Sequence, residues 1–294
     1  MNETRNKPDL ALIHGWGLGS SVWQTLLPSL SKVFRLHLVN LPGYDLADEQ
    51  PEARMDRSSS DGDRQNADKQ AIFRHTLCRT PIHAPSSEPT FDEAANSLIE
   101  ILPEGCIVCG WSLGSMLALR AASLLPQHFK KLVLIGGTPS FAQRDDWPHA
   151  KPKALLDSFA NAVAKAPAGT LQRFIVLLNQ GDVQARLFGR SLTHQLMATH
   201  LPDTATLMTG LDWLRNVDLR GEVAAIALPA LLLHGEHDPL MPLAAGQWLQ
   251  EKLPDAQLQV INGAAHAAFL TDPDDFAARI AHFCAADCHA SAHP

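Results

Sequence analysis

Short apolar runs along the chain end abruptly at turn-forming residues, and stretches with helical spacing separate most of them. Residues 10–14 (LALIH) stop at Gly15, and residues 34–41 (FRLHLVNL) stop at Pro42-Gly43, so both read as buried strands. Between them, residues 20–31 begin with serines and carry Trp23 and leucines at helical spacing, which predicts a helix. The same reading predicts strands at 106–109, 131–135, 230–233 and 258–261, and helices at 113–125, 244–252 and 273–284. Strands that alternate with helices imply an α/β fold: a mostly parallel sheet with helices on both faces.

Two segments break the alternation. Residues 48–89 are rich in Asp, Arg, Ser and Gln and hold few apolar positions, so they read as a mobile surface insertion that adds little to the core. Residues 138–218 instead contain four amphipathic stretches, near 151–165, 170–179, 183–199 and 203–214. Inserted between the fourth and fifth predicted strands, they would form a helical cap over the sheet ends, where open α/β sheets bind ligands. The predicted organisation is a core of residues 1–137 and 219–294, carrying the polar insertion 48–89, with the cap at 138–218.

Composition narrows this picture without redirecting it. With 46% hydrophobic and 19% charged residues in 294, the chain has ample material for one large core. Residues 1–8 lack the apolar run of a secretory signal, and no stretch reaches the roughly 18 apolar residues of a membrane span. A cytoplasmic protein without a membrane partner is expected. Five cysteines, Cys78, Cys106, Cys109, Cys284 and Cys288, form no even disulfide framework and read as reduced thiols. A net charge of -7 argues against general nucleic-acid binding.

Gly110-Trp111-Ser112-Leu113-Gly114 fits G-x-S-x-G between a predicted strand and a predicted helix, the context that makes this pattern specific. A serine hydroxyl is a weak nucleophile and needs a base within reach and a third group that orients the base. Among 14 histidines, His266 alone stands in a glycine- and alanine-rich loop directly after the last predicted strand. The loop after residues 230–233 offers Asp238, with Glu236 as the competing carboxylate, and Asp238 is favoured because it lies a few residues beyond the strand end and precedes Pro239. The order Ser112, Asp238, His266 is that of α/β-hydrolases. Backbone N–H groups of Leu113 and Trp16 are the expected oxyanion donors, the second from His14-Gly15-Trp16-Gly17. The Trp16 indole reads equally as a pocket wall or as packing. Cys106 and Cys109 resemble a metal half-site with no second pair and read as core, and no metal or cofactor is required by a serine triad.

Several stretches together resemble one family, the biotin-pathway carboxylesterases that cleave the methyl ester of pimeloyl-acyl-carrier protein. They are LALIHGWGLGSSVW, LHLVNLPGY, GWSLGS, RDDWPHAKP, Gln172-Arg173-Phe174, VDLR and AAHAAFLTDP. The tryptophans of HGWG and GWSLG, and RDDWP, are narrower signals than the glycine motifs. Residues 48–89 depart from the family by roughly thirty extra residues, and the chain begins almost at the HGWG strand, so the first strands of the wider superfamily are expected to be absent or minimal. The resemblance implies that Trp16, Ser112, Leu113 and the run Phe174, Ile175, Val176, Leu177, Leu178 contact the acyl chain. It further implies that Arg173, Arg186 and Arg190 dock the acidic carrier, while a further family arginine is replaced by Gly169. Charge supports a carrier independently: residues 151–200 hold Lys151, Lys153, Lys165, Arg173, Arg186 and Arg190 against Asp157 and Asp182, six minus two or +4. A solvated helical face is the alternative. The expected partner is thus an acyl-carrier protein bearing the pimeloyl methyl ester, met by a monomer. Rival readings are a broad short-chain carboxylesterase, another hydrolase of this fold, or a receptor that binds without turnover.

Overall fold

The computed structural model describes residues 7–44, 77–81, 89–198 and 201–286. Seven parallel strands form one sheet: β1 (Asp9–Ile13), β2 (Arg35–Asn40), β3 (Leu77–Pro81), β4 (Cys106–Trp111), β5 (Phe129–Ile135), β6 (Ala230–Gly235) and β7 (Ala256–Ile261). Their order across the sheet is β3-β2-β1-β4-β5-β6-β7. β4 and β6 are buried at every position, as strands covered on both faces must be, whereas the edge strand β7 is only partly covered.

The chain leaves β1 towards β2 through α1 (Leu27–Val33), but leaves β4 towards β5, in the other direction, through α3 (Leu113–Leu124). Right-handed crossovers therefore place α1 and α3 on opposite faces. α1 packs on α9 (Pro273–Ala285), where Ser29 Oγ donates to Asp274 at 2.5 Å, while α2 (Phe91–Ile101) packs on α3. The order reverses between β1 and β4, whose pairing runs from Leu10↔Ile107 to Ile13↔Gly110. The crevice beyond their C-terminal ends is where such a sheet leaves room for a ligand.

Four helices stand between β5 and β6: α4 (Lys153–Lys165), α5 (Pro167–Leu178), α6 (Ala185–Ala198) and α7 (Thr204–Asn216). Helix α8 (Leu243–Lys252) connects β6 to β7. The chain enters and leaves the insertion through one clamp. Asp218 takes Arg144 at 3.0 Å and Arg220 at 2.8 Å, Arg220 reaches Asp146 at 3.0 Å and lies over the Trp147 ring, and Leu219 N–H donates to Pro139. The RDDWP and VDLR stretches thus meet as structural partners.

Three departures from the sequence reading have local causes. Residues 48–89, read as adding little to the core, supply the edge strand β3, paired with β2 from Leu36↔Leu77 to Asn40↔Pro81. A short run holding Arg79 and Pro81 lacks an apolar signature, and an edge is where a sheet tolerates proline. The rest of that insertion, except Pro89, lies outside the described residues, as do Cys288 and the end of the 183–199 stretch. α2 was not anticipated, although Thr90 and Glu93 form a full capping box at its start. Residues 20–31 form a 3-10 turn, Ser20–Thr25, followed by the separate α1, which begins where Pro28 fits the first helical turn.

Candidate active site

Ser112 joins the end of β4 to the start of α3 and is the only non-glycine with positive φ among the described residues, at φ 57° and ψ -120°. The flanking glycines make this turn possible by allowing close approach. A Cβ on Gly110 would lie 2.2 Å from the Gly114 carbonyl oxygen, and one on Gly114 would lie 2.4 Å from that of Ile13. Ser112 N–H donates to Ile135 at 3.0 Å, which ties the turn to β5. Backbone strain held by the surrounding structure is a feature of reactive sites.

His266, in the loop after β7, is buried with Asp238, from the loop after β6; both side chains are wholly inaccessible. His266 Nδ1 donates to Asp238 Oδ2 at 2.7 Å. The other oxygen, Oδ1, accepts the N–H groups of Leu240 and Met241, both at 2.8 Å. Burial alone would raise the Asp238 carboxyl, but His266 beside it and the bonds it accepts hold it below the usual carboxylate range. With Nδ1 protonated, Nε2 carries the lone pair; it is buried and has no hydrogen-bond partner among the described residues. A buried, unpaired acceptor on a fixed ring is the condition expected of a base awaiting a proton.

Trp111 links serine and histidine. Its indole N–H donates to the His266 carbonyl at 2.9 Å, its ring lies 5.3 Å from the imidazole, and Trp23 and Phe269 both pack edge-on against it. Glu236, by contrast, is 44% exposed and accepts Gly263 N–H at 2.8 Å, so it is Asp238 that meets the histidine.

The turn after β1 passes directly against the serine, since a Cβ on Gly15 would lie 3.0 Å from Ser112 Cβ. Only glycine allows the turn that carries Trp16 to pass this close to Ser112 and the Trp111 ring. His14 holds the turn from beneath: its Nδ1 donates to Gly15 O at 2.7 Å, and its Nε2 accepts Leu41 N–H at 3.1 Å. Burial depresses the His14 pKa to about 4, so the ring is neutral. Leu113 is the first residue of α3, and its N–H belongs to the turn that lacks intrahelical acceptors.

The Trp16 indole donates to Leu207 O of α7 at 2.8 Å and packs edge-on against Phe159 and Phe174. It lines an apolar pocket between the core and the insertion, together with Phe159, Phe174, Leu177, Leu211 and Leu240, with about 460 Å³ of free space that includes open solvent. Of the run 174–178, Phe174 and Leu177 line this pocket, Ile175 and Leu178 are buried in the core, and Val176 is 70% exposed. Five consecutive helical residues point all round the axis, so they cannot share one wall. Val176 stands on the opposite, exposed side of the helix from the pocket-lining residues. Ser112 and Leu113 do not line the pocket; they lie at the sheet end.

Arg186 and Arg190 are exposed one turn apart on α6 and have no ion-pair partner among the described residues, whereas Arg173 on α5 donates to Thr170 Oγ1 at 3.0 Å. Leu187 and Met197 share the exposed face of α6, and Gln172 of α5 touches Met197. The two acids counted against this segment do not face it as free charges: Asp157 pairs with Arg215, and Asp182 is buried.

Sequence reasoning passed over two residues behind the site. His234, at the end of β6, is buried, and its Nε2 donates to Met241 O at 2.7 Å, bracing the peptide that holds Asp238. Burial pushes its pKa down. Asp182 accepts the N–H of Ala265, next to His266, at 3.0 Å. Cys106 and Cys109 are buried free thiols, and burial pushes Cys106 up to about 12.

Residues 10–273 match the family model described as the alpha/beta hydrolase fold. Among curated proteins, the pimeloyl-acyl-carrier protein methyl ester esterase of Aromatoleum aromaticum is 34% identical over 94% of this chain and 97% of its own length. The protein of the same name from Nitrosomonas europaea is 33% identical over 93% and 94%. An esterase structure from Exiguobacterium antarcticum superposes with a TM-score of 0.72 at 18% identity, covering 95% of this chain and 91% of that one, a likeness of fold.

Proposed function

The chain belongs to the α/β hydrolases and, within them, to the pimeloyl-acyl-carrier protein methyl ester esterases, and from that premise we propose a mechanism built on Ser112, His266 and Asp238. Ser112 Oγ attacks the ester carbonyl of the pimeloyl methyl ester as its proton passes to His266 Nε2. The N–H groups of Leu113 and Trp16 receive the negative oxygen of the tetrahedral intermediate. Methanol leaves with the proton from His266. A water molecule then gives a proton back to Nε2 and attacks the acyl-enzyme, Ser112 departs with that proton, and the product is the free pimeloyl carboxylate on its carrier. Asp238 stays ionised throughout, holding the imidazole in the tautomer that leaves Nε2 free. The chain is a carboxylesterase in this reading, and exposing the carboxylate ends its chemistry.

One observation carries the assignment: a buried histidine fixed at Nδ1 by a buried carboxylate at 2.7 Å, with Nε2 unpaired. The apolar pocket under Trp16 suits the methylene chain. The exposed face with Arg186, Arg190, Leu187 and Met197 suits an acidic carrier better than it suits a small free ester, and this favours carrier recognition over broad esterase activity. The test is covalent labelling with a fluorophosphonate and mapping of the modified peptide. Labelling at Ser112 that disappears in S112A and H266A is expected; labelling at another serine would overturn the assignment.

A further inference from the structure

We propose that Asp182, in the connection between α5 and α6, is a positioning residue for His266, an inference that rests on the reading of His266 as general base. Asp238 orients the imidazole, but something must also fix the backbone that carries it. The loop Asn262-Gly263-Ala264-Ala265 has little side-chain bulk to anchor it. The loop after β6 holds its first half, where Glu236 accepts Gly263 N–H at 2.8 Å and His237 N–H donates to Ala264 O at 2.9 Å, and the helical insertion holds it up to His266. Gly263 O accepts Val183 N–H at 3.2 Å, Asp182 Oδ2 accepts Ala265 N–H at 3.0 Å, and Leu178 O accepts His266 N–H at 3.1 Å.

Asp182 is the only side chain in this set of three, and it bridges both loops. Its second oxygen, Oδ1, accepts Gln184 N–H at 2.7 Å, while its own N–H donates to Asn179 O at 3.1 Å. The residue is only 9% exposed, so an apolar replacement leaves the Ala265 N–H without a partner in a place water reaches poorly. The His266 carbonyl is meanwhile held by Trp111, the neighbour of the nucleophile. His266 is therefore strung between β4 and the insertion, and α5 and α6, which bear the exposed basic face, end at the same knot. Loss of Asp182 lets the histidine backbone drift relative to Ser112 without disturbing the pocket.

Purified D182A and the near-isosteric D182N are compared with the parent on a small soluble methyl ester, with rates expressed per serine titrated by a fluorophosphonate. D182A is expected to lose about ten- to a hundredfold in kcat, the scale of a small misplacement of a catalytic group, with KM nearly unchanged. D182N keeps one acceptor oxygen and loses less. In proton NMR, the far-downfield resonance of the His266 Nδ1 proton should shift or broaden in D182A. A residue that only aided folding would lower the thermal midpoint and leave both kcat per titrated serine and this resonance as they were. That result, in D182A or, if it does not fold, in D182N, would overturn the proposal. H266A is run alongside: undiminished turnover there would remove the general-base reading itself, a failure distinct from an inert Asp182.

Discussion

The sheet ends and the helical insertion solve different problems. At the ends of β4, β6 and β7, polar groups are buried and almost fully bonded: Asp238 has both oxygens occupied, Ser112 N–H is tied to β5, and Nε2 of His266 is left unpaired. On the outer faces of α5 and α6 the pattern inverts, with Val176, Leu187 and Met197 exposed beside Arg186 and Arg190. In the proposed function the difference separates two tasks. Chemistry needs atoms fixed to fractions of an ångström, which register and burial supply. Recognition of a carrier needs accessible charge and apolar surface, which steers the encounter and sets register.

That separation can be broken first at its rigid half. D238N is expected to reduce kcat by roughly a thousandfold or more on any ester, because the amide cannot hold the same tautomer. E236Q, in the same loop, should stay within a few-fold of the parent in the same steady-state assay. Equal losses in the two would mean that burial did not select the acid.

A smaller effect, confined to one class of substrate, is expected at the other half. R186E/R190E should lower kcat/KM for the carrier-linked ester by about ten- to a hundredfold at low salt, with the gap narrowing as salt screens the charges. Hydrolysis of a small methyl ester should be unchanged. If both substrates lose equally, the exposed face is part of the fold and not a docking surface.

The smallest effect concerns stability. Folded His14 takes a proton only near pH 4, whereas an unfolded histidine does so near 6.5. Between these values the unfolded chain binds more protons, so stability falls as pH falls, by roughly 3 kcal/mol from this residue across the window. Buried His234 acts in the same direction. Thermal midpoints measured between pH 7 and 4 should show a shallower slope in His14→Gln than in the parent.

Much of the sheet-end half was legible in the sequence because its residues are marked by local grammar. A glycine two positions either side of Ser112 announces a turn without room for side chains, and Asp238 and His266 each follow an apolar run by a few residues. What escaped was marked weakly or only by distant partners. β3 is short and polar because it is an edge. The Thr90 and Glu93 box was a readable signal for α2, obscured by the polar stretch before it. Asp182 was counted as one charge of a patch, since nothing near it in the sequence tells of Ala265, 83 residues away. Val176 was grouped with its apolar neighbours, although a helix turns it outward.

Whether Ser112 cleaves the carrier-linked methyl ester is decided by incubating the chemically defined methyl ester of pimeloyl-acyl-carrier protein with the parent enzyme and with S112A, and weighing the intact carrier by mass spectrometry. The parent should convert it to the species lighter by one methylene unit with the thioester intact, and S112A should leave it unchanged. Conversion by S112A at the parental rate would remove Ser112 as the nucleophile, and cleavage of the thioester in place of the methyl ester would make the protein a thioesterase.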